Sequence, residues 1–118
     1  MNMSNIPAMD SLVILWSTGE TEVFHKVIYP YALNSKEQDW WKEVELIIWG
    51  PSGKSTLDEN LKLEIEHLRE AGVKLTACKW CSDQYEISDH LRSFGVDVKF
   101  MGSPLTDYIK TGKKVLTF

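Results

Sequence analysis

One stretch of the chain, residues 57–81, contains a helical pattern, its end and the strand that follows: LDENLKLEIEHLREAGVKLTACKWC. Four apolar residues recur in it at helical spacing and share one face: Leu57, Leu61, Ile65 and Leu68. Gly72 can adopt the left-handed conformation that ends a helix. Residues 73–77 then alternate between apolar and polar side chains, as strands do. The stretch therefore predicts a helix, a glycine stop and a strand.

The same order of helix, glycine and strand recurs twice further along the chain. Helical patterns end at Gly95 and Gly112, and strand patterns follow at residues 96–100 and 114–118. Nearer the start, residues 11–16 and 44–49 contain near-continuous apolar runs, which are typical of strands covered on both faces. Such repeated units imply right-handed crossovers between parallel strands. We predict the α/β class, as a three-layer α/β/α sandwich with a five-stranded, mainly parallel sheet.

Residues 21–33 form the first predicted helix, which Pro30 should kink or end. Residues 34–43 then form a polar loop or lid that carries Trp40 and Trp41. Two adjacent tryptophans are hard for a monomer to bury in such a loop, so one of them should face a partner subunit or fold over a pocket.

The chain has 118 residues, enough for one domain that needs no disulfide to fold. We expect residues 1–10 to be a flexible segment and residues 11–118 to be the domain. A net charge of -4 and a pI near 5.3 oppose binding to nucleic acid or to an anionic membrane. Residues 1–10 lack the features of a secretory signal, and no apolar run is long enough to span a membrane. These features predict a cytoplasmic protein.

Cys78 and Cys81 are the only two cysteines, and they lie where a predicted strand passes into a helix. Parallel α/β proteins keep their chemistry at this edge of the sheet. Backbone N–H groups at a helix start, and the charge of Lys79, would favour a thiolate. The spacing fits a redox pair, half of a metal site, or one working sulfur with a neighbour. A predicted helix cap at Ser82 or Asp83 places Cys81 nearer the helix start than Cys78.

Two other possible sites have the wrong spacing. Three histidines could join the cysteines around zinc: His25, His67 and His90. They lack the paired spacing of a zinc site, so we predict no metal. The segment GPSGKST at residues 50–56 ends like a phosphate-binding loop, but Ile48 stands where that loop needs glycine. We predict no nucleotide and no other cofactor.

Three tryptophans fall at or just beyond the carboxyl ends of successive strands: Trp16, Trp49 and Trp80. Because Cys78 lies at the same end, they could line one pocket that shelters a reactive sulfur from water. His25, near the start of the first helix, could approach Cys78 as a base or donor. The alternatives are that the tryptophans cap a small core and that His25 is a half-exposed helix residue.

The whole-domain pattern includes a second strand ending in Trp49-Gly50, Ala77-Cys78 after the third strand, and Gly112 before the last. In these features the chain, from Ser11 onward, resembles the DsrE/DsrF-like family of small sulfur-relay proteins. The resemblance implies a five-stranded parallel sheet, assembly into trimers or hexamers, and a sulfur-accepting role for Cys78. In that chemistry a thiolate takes sulfane sulfur from a donor persulfide, holds it, and yields it to another thiol.

The leading hypothesis is therefore a cytoplasmic sulfur carrier or sulfurtransferase-like protein that exchanges sulfur with donor and acceptor proteins. Cys81 could modulate the Cys78 persulfide, or resolve it by expelling sulfide and forming a disulfide. A second hypothesis is a C-x-x-C thiol-disulfide oxidoreductase. It is weakened by the prediction that Cys81, rather than Cys78, lies nearer the helix start. A third is a non-enzymatic oligomeric binding protein whose cysteines are incidental.

Overall fold

A computed structural model describes residues 6–118 of the chain. Five strands form one sheet, and every strand pair in it is parallel. The strands are β1 (Ser11–Trp16), β2 (Glu43–Ile48), β3 (Lys74–Cys78), β4 (Asp97–Lys99) and β5 (Lys114–Thr117). The helices are α1 (Thr21–Val23), α2 (Tyr29–Glu37), α3 (Ser52–Ser55), α4 (Glu59–Ala71), α5 (Lys79–Gln84), α6 (Ser88–Ser93) and α7 (Gly102–Lys110). Helices lie on both sides of the sheet, and the predicted α/β class is confirmed.

The strand order is β4-β3-β2-β1-β5, which the sequence had left open. Strands β2, β3 and β4 lie in that order on one side of β1, and β5 lies on its other side. Trp16 is paired with Ile48, and Cys78 with Lys99, so the carboxyl ends of the strands meet at one edge. Cys78 lies at this edge.

The first face of the sheet is closed by α2, α4, α6 and the turn that precedes α2. Alternate side chains of β1, among them Ile14 and Trp16, pack there into the main core cluster. Leu61, Ile65 and Leu68 of α4 are buried against them, as their spacing predicted. Leu57 is half-exposed, because Asp58 caps α4 by accepting a hydrogen bond from the Asn60 N–H and the helix begins beyond Leu57.

Among the helices of residues 6–118, α7 alone contributes side chains that pack on the second face of the sheet. Four buried side chains form its centre: Val13, Ile47, Cys78 and Met101. Leu105 and Tyr108 of α7 pack on this cluster, yet no residue of α7 is buried. We call this small core the α7 cluster. Helices thus flank both sides of the sheet, but the two layers differ greatly in extent.

A buried carboxylate joins α7 to the sheet beside this cluster. Glu45 of β2 accepts hydrogen bonds from the Tyr108 hydroxyl at 2.8 Å and from the Thr76 hydroxyl at 2.9 Å. Burial and the neighbouring carboxylate of Glu45 raise the pKa of Tyr108 well above its usual range. The hydroxyl therefore stays protonated and keeps donating to Glu45 at ordinary pH.

The first predicted helix is longer than its sequence indicated. A π turn over Phe24–Ile28 joins α1 to α2, and the Tyr29 N–H bonds to the Phe24 carbonyl across it. Pro30 follows the π turn within one continuous helical stretch, and it does not end the helix, which continues to Glu37. The expected loop is consequently reduced to residues 38–42.

The predicted flexible segment over residues 1–10 is only partly described. Residues 1–5 lie outside the described residues, and Ala8–Asp10 form a 3₁₀ turn that leads directly into β1. Between residues 6 and 118, no helix combines the length and apolar character needed to cross a membrane.

Candidate functional site

Cys78 is both the last residue of β3 and the N-cap residue of α5. Helix α5 begins at the next residue, so Cys81 is the third residue of that helix. The prediction that the helix starts near Ser82 or Asp83 is wrong. Those side chains have another use: Ser88 donates to Asp83 at 2.6 Å and lies 2.7 Å from the Ser82 hydroxyl, which ties α5 to α6.

The two thiols differ in burial. Cys78 is 4% exposed, and its side chain belongs to the α7 cluster with Val13, Ile47 and Met101. Cys81 is partly exposed, and both cysteines are free thiols. Residues three apart on a helix lie on the same side of it. The pair therefore combines a buried thiol at the N-cap of α5 with a thiol in its first turn that solvent can reach.

Lys79, between the two cysteines, is engaged with other groups. Its ammonium pairs with Asp83 and lies 5.4 Å from the centre of the Phe100 ring. The hydrogen bond from Lys79, followed by the one from Ser88, holds the pKa of the Asp83 carboxyl below its usual range. The charge of Lys79 is therefore paired with the Asp83 carboxylate within α5.

The structure separates the three tryptophans that were predicted to line one pocket. Trp16 is fully buried on the first face, with its ring centre 4.3 Å from that of Phe24. Trp49 packs on the α7 cluster, on the same face as Cys78. Trp80 is 62% exposed on α5. Successive side chains of a strand point to opposite faces, so Trp16 shares the edge of Cys78 but lies across the sheet from it.

His25 is also not brought to Cys78. Its Nδ1 contacts the Glu64 carboxylate of α4, which covers the first face of the sheet. A groove of about 450 Å³ lies here, lined in part by Thr21, His25, Asp58 and Glu64. The structure places this groove and Cys78 on opposite faces of the sheet.

The segment at residues 50–56 connects β2 to α4 and closes the strand ends. Ser52 donates a hydrogen bond of 2.6 Å to the Trp16 carbonyl and accepts one of 3.1 Å from the Trp49 N–H. A Cβ on Gly53 would lie 3.2 Å from Ile87. The loop is packed on protein atoms, which fits the interpretation of a connector.

Met101 is a residue of the candidate site that its sequence did not indicate. It is fully buried, immediately precedes α7 and packs with Cys78 in the α7 cluster. One signal was present: Met101 follows the fourth strand, and all carboxyl ends of a parallel sheet share an edge. Methionine is flexible and polarisable, and it adapts to irregular space.

No group of three or more metal-binding side chains is arranged to hold an ion in the part of the chain that the structure describes. Near the sheet edge, Cys78 and Cys81 provide two free thiols in unequal surroundings. Thiols at such a site can take up sulfur, exchange it, or form a disulfide.

Comparisons with known proteins agree with the fold. No curated protein matches the sequence. Among solved structures, the conserved protein of unknown function BT1422 from Bacteroides thetaiotaomicron is 34% identical, with a TM-score of 0.89 over 92% of this chain and 95% of that one. The ychN protein from E. coli is 20% identical and has the same fold, with a TM-score of 0.72 over 93% of this chain and 99% of that one.

The family model that matches the chain spans residues 42–118, from the start of β2 to β5. This range contains both cysteines, the α5 and α7 helices and Met101. The chain is a member of the DsrE/DsrF-like family.

Proposed function

We propose that this protein is a sulfur carrier that holds sulfane sulfur as a persulfide on Cys78. The resemblance noted in the sequence aligns Cys78 with the sulfur-accepting cysteine of its family. The observation that carries the proposal is the position of Cys78. It lies at the carboxyl end of β3, caps α5, and has its side chain inside the apolar α7 cluster.

These surroundings suit a stored persulfide. A second sulfur atom on Cys78 would be shielded from water by the side chains of Val13, Ile47 and Met101. Met101 has three rotatable side-chain bonds, and the α7 helix above it has no buried residue. The cluster can therefore rearrange around one additional sulfur atom at modest cost.

The open second face of the sheet supports assembly. Two apolar side chains on or beside α7 are prominent: Phe100, two residues before the helix, and Ile109 within it, exposed by 62% and 59%. Exposed apolar groups of this kind mark interaction surfaces. With the family resemblance, they favour a homo-oligomer, a trimer or hexamer, that exchanges sulfur with donor and acceptor proteins in the cytoplasm.

Sulfur retention tests the proposal. The reduced protein is incubated with glutathione persulfide, freed of the donor, and weighed intact under non-reducing conditions. We expect wild type and the matched Cys81→Ser variant to keep one extra sulfur atom that a reductant removes. Cys78→Ser should keep none, because glutathione released by the donor during the incubation removes a sulfur held on the accessible Cys81. A wild type that keeps no sulfur contradicts the proposal.

A thiol-disulfide oxidoreductase is the second candidate, and one observation favours it. Cys78 stands at the start of α5, so the first cysteine of the pair is the one nearest the helix start, contrary to the sequence prediction. In the same experiment this activity would give a wild type lighter by two hydrogen atoms, and both cysteines would be required. No mass change in any variant would favour the binding protein.

A further inference from the structure

The unequal burial of the two thiols bears on how sulfur enters the site. We propose that Cys81 is the thiol that meets a protein-bound persulfide, and that it then passes the sulfur inward to Cys78. This inference rests on the proposed sulfur-carrier function. It assigns Cys81 a catalytic role, as the first thiol to receive sulfur from a donor protein.

Access to Cys78 carries the first step of the argument. Transfer requires the attacking thiolate to reach the outer sulfur of the donor in line with the bond that breaks, so the rate depends on access. Cys78 is 4% exposed and packs with Met101, which is fully buried at the start of α7. A sulfur carried on the surface of a folded donor therefore meets less obstruction at Cys81 than at Cys78.

Cys81 meets the requirement that Cys78 does not. It is partly exposed in the first turn of α5, and the adjacent Trp80 is largely exposed. Cys78 is the N-cap of α5 and Cys81 its third residue, and side chains at these two positions reach across the same first turn, as in a capping box. The outer thiol can therefore hand sulfur to the inner one without unfolding of α5 or α7.

The two steps balance in atoms and electrons. The Cys81 thiolate attacks the outer sulfur of the donor persulfide; the donor S–S bond breaks, a new S–S bond forms on Cys81, and the donor leaves as a thiolate. The Cys78 thiolate then attacks the terminal sulfur of the Cys81 persulfide, and Cys81 leaves as a thiolate. Each step exchanges one S–S bond for another, so no external oxidant or reductant is consumed.

The sequence itself permits a direct test, because Lys79 separates the two cysteines. Trypsin cleaves after Lys74, Lys79 and Arg92, which places Cys78 in peptide 75–79 and Cys81 in peptide 80–92. Persulfidated serum albumin serves as the protein donor and glutathione persulfide as the small donor. Samples are quenched by rapid alkylation at successive times, digested and analysed by mass spectrometry.

With the albumin donor, we expect the extra sulfur of wild type to appear first on peptide 80–92 and later on peptide 75–79. In Cys81→Ser, the ratio of the loading rate with the small donor to that with albumin should rise about tenfold over wild type, since the small donor meets less obstruction at Cys78 than albumin does. Cys81→Ala should behave in the same way, which excludes an effect of the serine hydroxyl.

An unchanged ratio in Cys81→Ser, or simultaneous labelling of both peptides in wild type, contradicts the proposal that sulfur enters at Cys81 and then passes to Cys78. In that case retention of sulfur by Cys78 after donor removal still supports the sulfur-carrier function. Failure of wild type to retain sulfur from either donor removes the proposed function itself. The two failures therefore give different results.

Discussion

The two faces of the sheet share their strands but differ in how completely they are covered. The first face is closed by α2, α4 and α6, and its central side chains, such as Ile14, Trp16 and Ile65, are fully buried. The second face has a core of four buried residues under a single helix, none of whose residues is buried. The free thiol of Cys78 belongs to this smaller core.

The larger core on the first face stabilises the fold, whereas the smaller core on the second face contains the candidate site. Dense packing stabilises a fold but resists any change in volume, since interiors are packed like crystals. The small α7 cluster stabilises less, and under the proposed function it would hold the extra sulfur atom. The comparison predicts that substitutions on the first face impair folding, whereas those on the second face impair chemistry or assembly.

The largest expected effect is on the first face. Replacing Ile65, which is fully buried in α4, by alanine should reduce the free energy of unfolding by about 2–5 kcal/mol. The matched change Leu105→Ala removes a half-buried side chain of α7 and should cost about 1 kcal/mol, in proportion to the smaller area that leaves water. Urea unfolding measures both. Equal losses would contradict the difference between the faces.

A smaller effect is expected where α7 is joined to the sheet. Tyr108→Phe removes the hydroxyl that donates to Glu45 and leaves a buried carboxylate oxygen without that donor. The expected loss is about 1–3 kcal/mol in the free energy of unfolding. Tyr31→Phe is the control, because its hydroxyl accepts a bond from the half-buried Trp41 and its loss should cost less. A larger loss in the control would show that Glu45 does not anchor α7.

The same tyrosine makes stability depend on alkaline pH. The folded-state pKa of Tyr108 is raised, so its contribution is complete below the unfolded pKa of about 10 and is lost as the pH rises beyond it. Wild type should therefore lose stability between about pH 9 and pH 11 more steeply than Tyr108→Phe. Denaturation midpoints measured across this range show whether wild type loses stability with rising pH more steeply than the variant. Parallel curves would show that Tyr108 does not titrate differently in the folded state.

The smallest effect on the fold is expected at the outer surface of α7. Ile109→Glu places a charge on a side chain that is already exposed, so the free energy of unfolding of the isolated chain should change by less than about 0.5 kcal/mol. The same charge should prevent assembly through the second face. Light scattering after size exclusion measures the oligomeric state, and Leu63→Glu, on an exposed position of α4, is the control. Loss of assembly in the control alone would place the interface on the first face.

Local sequence signals predicted most of the fold. The apolar spacing of Leu61, Ile65 and Leu68 defines a buried helix face, and Gly72 ends that helix with a φ of 103°, which favours glycine. The position of Cys78 at the edge of the sheet followed from the strand pattern alone. These features depend on residues close together in the chain, which is why they could be predicted.

Features that depend on tertiary partners could not be predicted in this way. Ser82 and Asp83 have the residue types of a helix cap, but they lie inside α5 and bond to Lys79 and to Ser88 of α6. Trp16 and Cys78 share an edge, but their relative faces depend on the registers of β1 with β2 and of β2 with β3, which no local pattern indicates. His25 pairs with Glu64 because α4 packs beside the π turn, and no local pattern indicates that contact.

The position of β5 has a consequence for biosynthesis. β1 is the first of the five strands to be synthesised, yet one of its two neighbours in the sheet is the last, since Leu12 pairs with Lys114. Until β5 emerges from the ribosome, β1 presents an unpaired edge in an apolar strand, which is a template for unwanted pairing with other chains. The contact also spans nearly the whole chain, and such non-local pairing slows folding. We therefore expect nascent chains that lack β5 to depend on chaperones more than the finished protein does.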